Sequence, residues 1–342
     1  MTDPRTTTTK DIKHSIVSGI RRSLIESGSG TKAELSDKLG LSFPTVSKFL
    51  SLMEKEGEIT LLGVDDSSGG RRANRYACNP EYRLGLAVFL EKDETVCAVF
   101  NSMGEIKEQG THPSVLADDV EALGGLIGGL TQEFPRIRSL SIGLPAAVDH
   151  GTIIHIPGYE SFDGMNLQRY LEDRFALPVA VENDMNAAVL GYYHRQGNPD
   201  RSSLVYLYFG QNGPGAGVMI NGEVLRGSTF FSGEVSFVPL YNDRSFEQAL
   251  YDKRSSGQPV SREESVDTVS RLVASLTAIL NPHQIVFCHD EVDEEMIRRI
   301  AGESAAYVPE RHLPELGMSN WREDYIYGLR HLGRELLITT DI

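Results

Sequence analysis

The chain has 342 residues, 40% hydrophobic and 24% charged, a composition and length suited to about two folded domains. No apolar run approaches the roughly 20 residues of a spanning helix, and the opening MTDPRTTTTK lacks the apolar stretch of a secretory signal, so a cytoplasmic location is expected. Residues 1–75 carry 12 Lys/Arg against 10 Asp/Glu and the remainder 21 against 38, so an acidic body would repel DNA and membranes, and any nucleic-acid binding falls to the N-terminal segment.

That segment reads as three helices and a hairpin. Ile12, Ile16, Ile20 and Leu24 recur every four residues, and the breaker run Ser27–Gly30 ends their helix. Thr31 with Glu34 forms a capping box for a second helix to about Leu39, and Gly40 supplies the turn. Ser42 caps a third helix whose apolar face is Val46, Phe49, Leu50 and Met53, leaving Ser42, Thr45, Ser47 and Lys48 outward near its start. Two short helices around a Gly turn, with small polar and basic residues opening the second, make a helix-turn-helix. Residues 58–62 then read as a strand, 64–70 as a tip, and 71–76 as a return strand bearing Arg71, Arg72 and Arg75. The unit over 1–78 is therefore expected to be a winged helix that reads double-stranded DNA through Ser42, Thr45, Ser47 and Lys48. The wing arginines would take up phosphates or a narrow minor groove.

From residue 80 the pattern alternates between strand and helix. Strands are expected at 84–90 and 96–101, a helix at about 118–134, and strands at 139–144 and 179–181. A helix from Asp184, strands at 204–209 and 218–220, a long helix ending at Asn281-Pro282 and a strand at 283–288 follow. This is an α/β body with a mixed sheet, repeated about twice. A C-terminal helical stripe of Tyr325, Leu329, Leu332 and Leu336 suits packing within the chain better than a dimer contact. The three cysteines, Cys78, Cys97 and Cys288, are too widely spaced for a CxxC pair or a disulfide framework.

Taken in order, SGGRRANRY, IGLPAAVDHGTII, ALPVAVENDMNAAVLGYY, LVYLYFGQNGPGAGVMINGEVLRGSTFFSGEVSF and LNPHQIVF track nearly the whole chain. In that order they resemble the ROK family of repressors, open reading frames and kinases, in its repressor branch. The resemblance implies an actin-like or hexokinase-like (ribonuclease H-like) body over 79–342, with lobes at about 79–182 and 183–342 and a ligand cleft between them. In ROK sugar kinases the residue matching Asp184 takes the proton from the substrate hydroxyl, and the one matching Asn183 holds the sugar. Asp184 could also simply cap the following helix. Gly233-Glu234 resembles the start of the family's GExGH element, whose glutamate binds sugar. Phe237 stands where its histidine is expected, and would offer the ligand an apolar face.

Several family features are missing. The stretch 237–257 holds no cysteine or histidine for a structural zinc, so no metal is expected. His150 and His155 flank the turn DHGT without a third ligand. The Gly-rich loop 210–217 could cradle a phosphate or be only a tight hairpin. Where the kinases carry DxGGT, this chain has Ala87, Phe89 and Leu90, and His289-Asp290 replaces a Gly-Gly pair. Nucleotide binding and phosphotransfer are not expected, and no cofactor is assigned. The leading expectation is a ligand-responsive repressor, non-enzymatic, pairing as a homodimer or larger even oligomer on operator DNA. Asn183, Asp184, Glu234 and Phe237 would hold a sugar-like effector. The alternatives are a ROK sugar kinase and a DNA-binding protein with a vestigial cleft.

Overall fold

The structure is a computed structural model that describes residues 8–64, 73–156, 158–197, 201–210, 213–252, 258–259 and 262–340. The chain begins with α1 (Thr9–Ser27), β1 (Gly30–Thr31), α2 (Lys32–Leu39), α3 (Phe43–Glu56), β2 (Ile59–Val64) and β3 (Asn74–Cys78). The expected caps are present: Thr31 and Glu34 close the capping box of α2, and the Ser42 hydroxyl accepts from the Thr45 amide at 3.3 Å at the start of α3. Gly40, at φ 63°, makes the turn between them. Ile20, Leu24, Val46, Leu50, Met53 and Ile59 form the core of this unit, whereas Ile12, the first residue of the expected stripe, stays half-exposed. Strands β1, β3 and β2 make a small antiparallel sheet, the hairpin expected of a wing.

Two sheets of the same topology follow. The first is built from β4 (Leu84–Leu90), β5 (Glu94–Asn101), β6 (Ile106–Pro113), β7 (Ile137–Leu144) and β10 (Val179–Asn183). Helix α4 (Val120–Glu133), the hairpin β8 (Ala147–Asp149) and β9 (Thr152–His155), and helix α5 (Leu167–Phe175) are inserted between its strands. The second contains β11 (Leu204–Tyr208), β12 (Gly215–Ile220), β13 (Glu223–Val224), β16 (Gln284–Cys288) and β17 (Glu315–Ser319). In each, three antiparallel strands are extended by two parallel ones, in orders β10-β7-β4-β5-β6 and β17-β16-β11-β12-β13 when read from the parallel edge. This is the expected repeat.

The remaining elements are α6 (Asp184–Arg195), α7 (Phe246–Leu250), the short pair β14 (Tyr251–Asp252) and β15 (Gln258–Pro259), α8 (Arg262–Leu280), α9 (Glu294–Ser304) and α10 (Trp321–Thr339). Alternation along β4 shows how the layers form. Leu84, Leu86, Val88 and Leu90 pack toward α4 and α5, while Ala87 and Phe89 face the opposite core. That central core is shared with α6, α10 and one face of the second sheet, and α7, α8 and α9 cover the other face. Strand β6 was not expected from the sequence. Its IKEQGTHP is polar and almost wholly exposed, as an edge strand can be, so its place depends on pairing with β5.

Helix α10 carries the C-terminal stripe, and Tyr325 and Leu329 are fully buried within the chain. It also corrects the expected lobe division, because it returns from the second half to pack on β4 and β7 as well as α6. A single cut near residue 182 therefore does not separate the halves. Its last turn reaches the N-terminal unit. Arg22 pairs with Glu335 at 2.6 Å, and Arg21, ion-paired with Glu58 at 2.5 Å, donates to the Ile338 carbonyl at 3.3 Å.

Candidate functional site

The cleft lies where β10 gives way to α6. Asn183, not Asp184, caps the helix, its side-chain oxygen accepting from the Asn186 amide at 3.0 Å while its Nδ2 donates to the Ala146 carbonyl at 3.1 Å. Asp184 is thereby free of the capping role and lines the cleft, with one oxygen accepting from the Met185 amide at 2.7 Å. Burial, with the Glu234 carboxylate adding to it, pushes the Asp184 carboxyl up to about 7. Burial raises Glu234 as well, and His155 opposes that rise.

Glu234 reaches the cleft through Gly233. At φ 97° a Cβ on this residue would collide with the Ala216 carbonyl, so only glycine allows the approach. The cleft is an open hollow of about 720 Å³, solvent at its mouth included, between Asn183-Asp184, the Gly213–Ala216 segment, Ser232–Glu234, His155, Arg226 and Tyr208. Two carboxyl groups, an amide and an imidazole around such a hollow can exchange paired hydrogen bonds with neighbouring hydroxyls.

Of the four expected ligand residues, the structure brings Asn183, Asp184 and Glu234 together and leaves Phe237 out. The turn Val235–Phe237 buries Val235 and turns Phe237 to solvent, 60% exposed, against Phe231 at 5.4 Å. Phe230 does line the cleft, and packs edge-on to His150 at 5.4 Å. Sequence reasoning set His155 aside and missed Arg226. Arg226 follows β13 and forms an ion pair with Glu182 of β10, so it joins the two sheets across the cleft. The other Glu182 oxygen accepts from the Asn183 amide and Asn186 Nδ2, both at 3.0 Å. Arg226 does not stand out in the sequence, because its link to Glu182 is made only when the sheets meet.

Beside the cleft, the end of β4 is closed by rings. Phe89 is 2% exposed and stacks on Tyr325 at 4.8 Å, and Trp321 stacks on Tyr208 at 4.4 Å. Leu90 is fully buried, so this strand end presents packed side chains where the kinases' loop would present glycine amides. Among the described residues the atoms of Cys288, His289 and Asp290 approach within 4.8 Å, but burial holds the thiol protonated, its pKa pushed up to about 11.

In the N-terminal unit, Ser42, Phe43 and Lys48 are exposed along the first half of α3, and Lys32 Nζ donates to Ser47 Oγ at 3.0 Å. Thr45 Oγ1 lies 2.8 Å from Ser42 Oγ. Arg71 and Arg72 lie outside the described residues. Arg75 pairs with Glu34 at 2.9 Å and donates to Ser29 Oγ at 3.3 Å, so it braces β3 against the start of α2.

The ROK family profile matches residues 86–245. The xylose repressor of Caldicellulosiruptor bescii is 27% identical over 222 residues, 61% of this chain and 55% of its own length. The β-glucoside kinase of Listeria monocytogenes is 28% identical over 168 residues, 47% of this chain and 55% of its own. The chain thus spans little more than half the length of the curated relatives it matches. Among solved structures, a ROK family transcriptional regulator homologous to the E. coli MLC protein superposes with a TM-score of 0.71 at 20% identity, covering 96% of this chain and 98% of that one. A ROK family glucokinase from Streptomyces griseus, in complex with glucose and AMPPNP, gives 0.55 at 18% identity over 73% of this chain and 99% of its own. Both share its fold, the first including the N-terminal helical region. The ROK family match over residues 86–245 therefore spans strands of both sheets around the cleft.

Proposed function

We propose that the chain is a sugar-responsive transcriptional repressor. Its N-terminal unit, residues 1–78, binds operator DNA as half of a homodimer in the cytoplasm, and its cleft holds a polyhydroxylated effector that it does not phosphorylate. The observation that carries this reading is the contrast within one site. Asn183, Asp184 and Glu234 converge on the cleft, whereas Phe89, Tyr325 and Trp321 pack over the strand end beside it. Desolvating three polar side chains is costly unless a ligand satisfies them. The relatives named xylose repressor support the same reading.

A ROK sugar kinase is the second reading, favoured by one observation: a carboxyl titrating near 7 suits a general base. Thermal-shift titration with monosaccharides and ATP, followed by a coupled assay for ADP, separates the two. The repressor reading expects stabilisation by a sugar, no ADP release, and a changed operator mobility shift on adding that sugar. ATP consumption with any stabilising sugar would establish the kinase instead.

A further inference from the structure

A second polar hollow lies on α10 and shares no lining residue with the cleft. It is an open hollow of about 390 Å³, solvent at its mouth included, between Arg330, His331 and Arg334 of α10 and the β5–β6 turn at Met103–Glu105.

The lining is cationic and short of partners. Arg330 donates one bond, to the Gly104 carbonyl at 2.9 Å, and lies over the Tyr327 ring. Arg334 makes no hydrogen bond or ion pair with any described residue. Nε of both arginines and Nδ1 of His331 are buried without acceptors. Of the nearby carboxylates, Glu105 lines the hollow and accepts from Asn101 Nδ2 at 2.8 Å, and Glu335 is held by Arg22. His331 stacks on His194 at 3.8 Å, and burial with the neighbouring Arg334 charge keeps both imidazoles neutral, His331 pushed down to about 4. The lining thus sets two guanidinium charges against one carboxylate, Glu105, in a chain of net charge −15.

We propose that this hollow is an anion site for phosphate or a phosphomonoester, bound through Arg330 and Arg334. Guanidinium forks match the oxygen geometry of a phosphoryl group, and the buried N–H groups that lack acceptors would gain them. The site lies one residue before the Glu335–Arg22 pair, so a bound dianion would sit at the joint between the body and the N-terminal unit. It does not depend on the sugar cleft.

The test is thermal-shift and calorimetric titration of the full chain with sodium phosphate, glucose 6-phosphate, glucose, and sodium chloride at matched ionic strength. Phosphate is expected to saturate and to stabilise the protein beyond chloride. Arg334→Gln should raise its apparent Kd at least tenfold, and Asp184→Asn should leave it unchanged. Glucose 6-phosphate bound in wild type and equally in Asp184→Asn would identify an organic phosphate as a source. Phosphate no better than chloride, an unchanged Kd in Arg334→Gln, or binding lost only in Asp184→Asn would overturn the site. Should Arg334→Gln not fold, the imidazole NMR signals of His331 and His194 in wild type decide. Phosphate must shift them and chloride must not.

Discussion

At the scale of single residues, Asp184 shows how little of a site's chemistry depends on residue type alone. Its motif suggested both a helix cap and a ligand-binding carboxylate, and the structure divides the roles by giving the cap to Asn183. The consequence is measurable without any ligand. A folded pKa near 7 against an ordinary 3.8 means that the folded chain holds this proton more tightly than the unfolded one. Stability therefore falls as pH rises from about 4 to 7, and the cost of a buried charge is fully present above that window. Asp184→Asn removes the cost. We expect the ligand-free variant to be more stable than wild type at pH 8, by on the order of 2–4 kcal/mol, and the advantage to vanish toward pH 4. Denaturant melts at both pH values check this. An equal difference at both would mean that the carboxyl is not the titrating group. Phe237 teaches the complementary lesson: its motif places it at the ligand, and a neighbouring turn directs its side chain to solvent.

At the scale of elements, the close crossing of α6 and α10 connects the site to the rest of the molecule. It is made by two glycines. A Cβ on Gly191 would collide with the Asp324 carbonyl, and one on Gly328 with the Ala187 carbonyl. Because the obstacles are backbone, the helices must move apart to admit even a methyl group. Gly328→Ala is expected to destabilise the fold by about 1–3 kcal/mol or more, despite alanine's better helix propensity. Gly302→Ala in α9, where nothing lies within 4 Å of the new methyl, should be neutral or slightly stabilising. Urea denaturation of both variants separates packing from propensity, and equal effects would remove the crossing from consideration. Since α6 begins at Asp184 and α10 ends on Arg21 and Arg22, Gly328→Ala should also blunt any effect of a sugar on operator binding.

At the scale of the whole molecule, the proposed function requires two copies. One recognition helix spans too few base pairs for operator specificity, so symmetric half-sites about one helical turn apart are expected. Light scattering at micromolar concentration should give at least twice 37.7 kDa, and a strictly monomeric mass would contradict the homodimer. The architecture behind this was legible in the sequence to different depths. The sequence by itself determined the local elements: the capping box at Thr31, the Ser42 cap, the Gly40 turn, the β4 and β16 strands and the α10 stripe. These follow from backbone conformation and hydrophobic period, which act over a few residues. It also determined that Asn183-Asp184 and Glu234 belong together, through an ordered set of motifs. Only the tertiary structure decided the rest. The polar edge strand β6 has no pattern of its own, and α10 crosses a boundary that chain order suggests. Arg226 and Phe230 reach the cleft from the segment just before Glu234 and His155 from the first half of the chain, while Phe237 leaves it through a single turn. Burial and electrostatic coupling depend on which surfaces meet, and that is set by the packing of two sheets around shared helices rather than by any one segment.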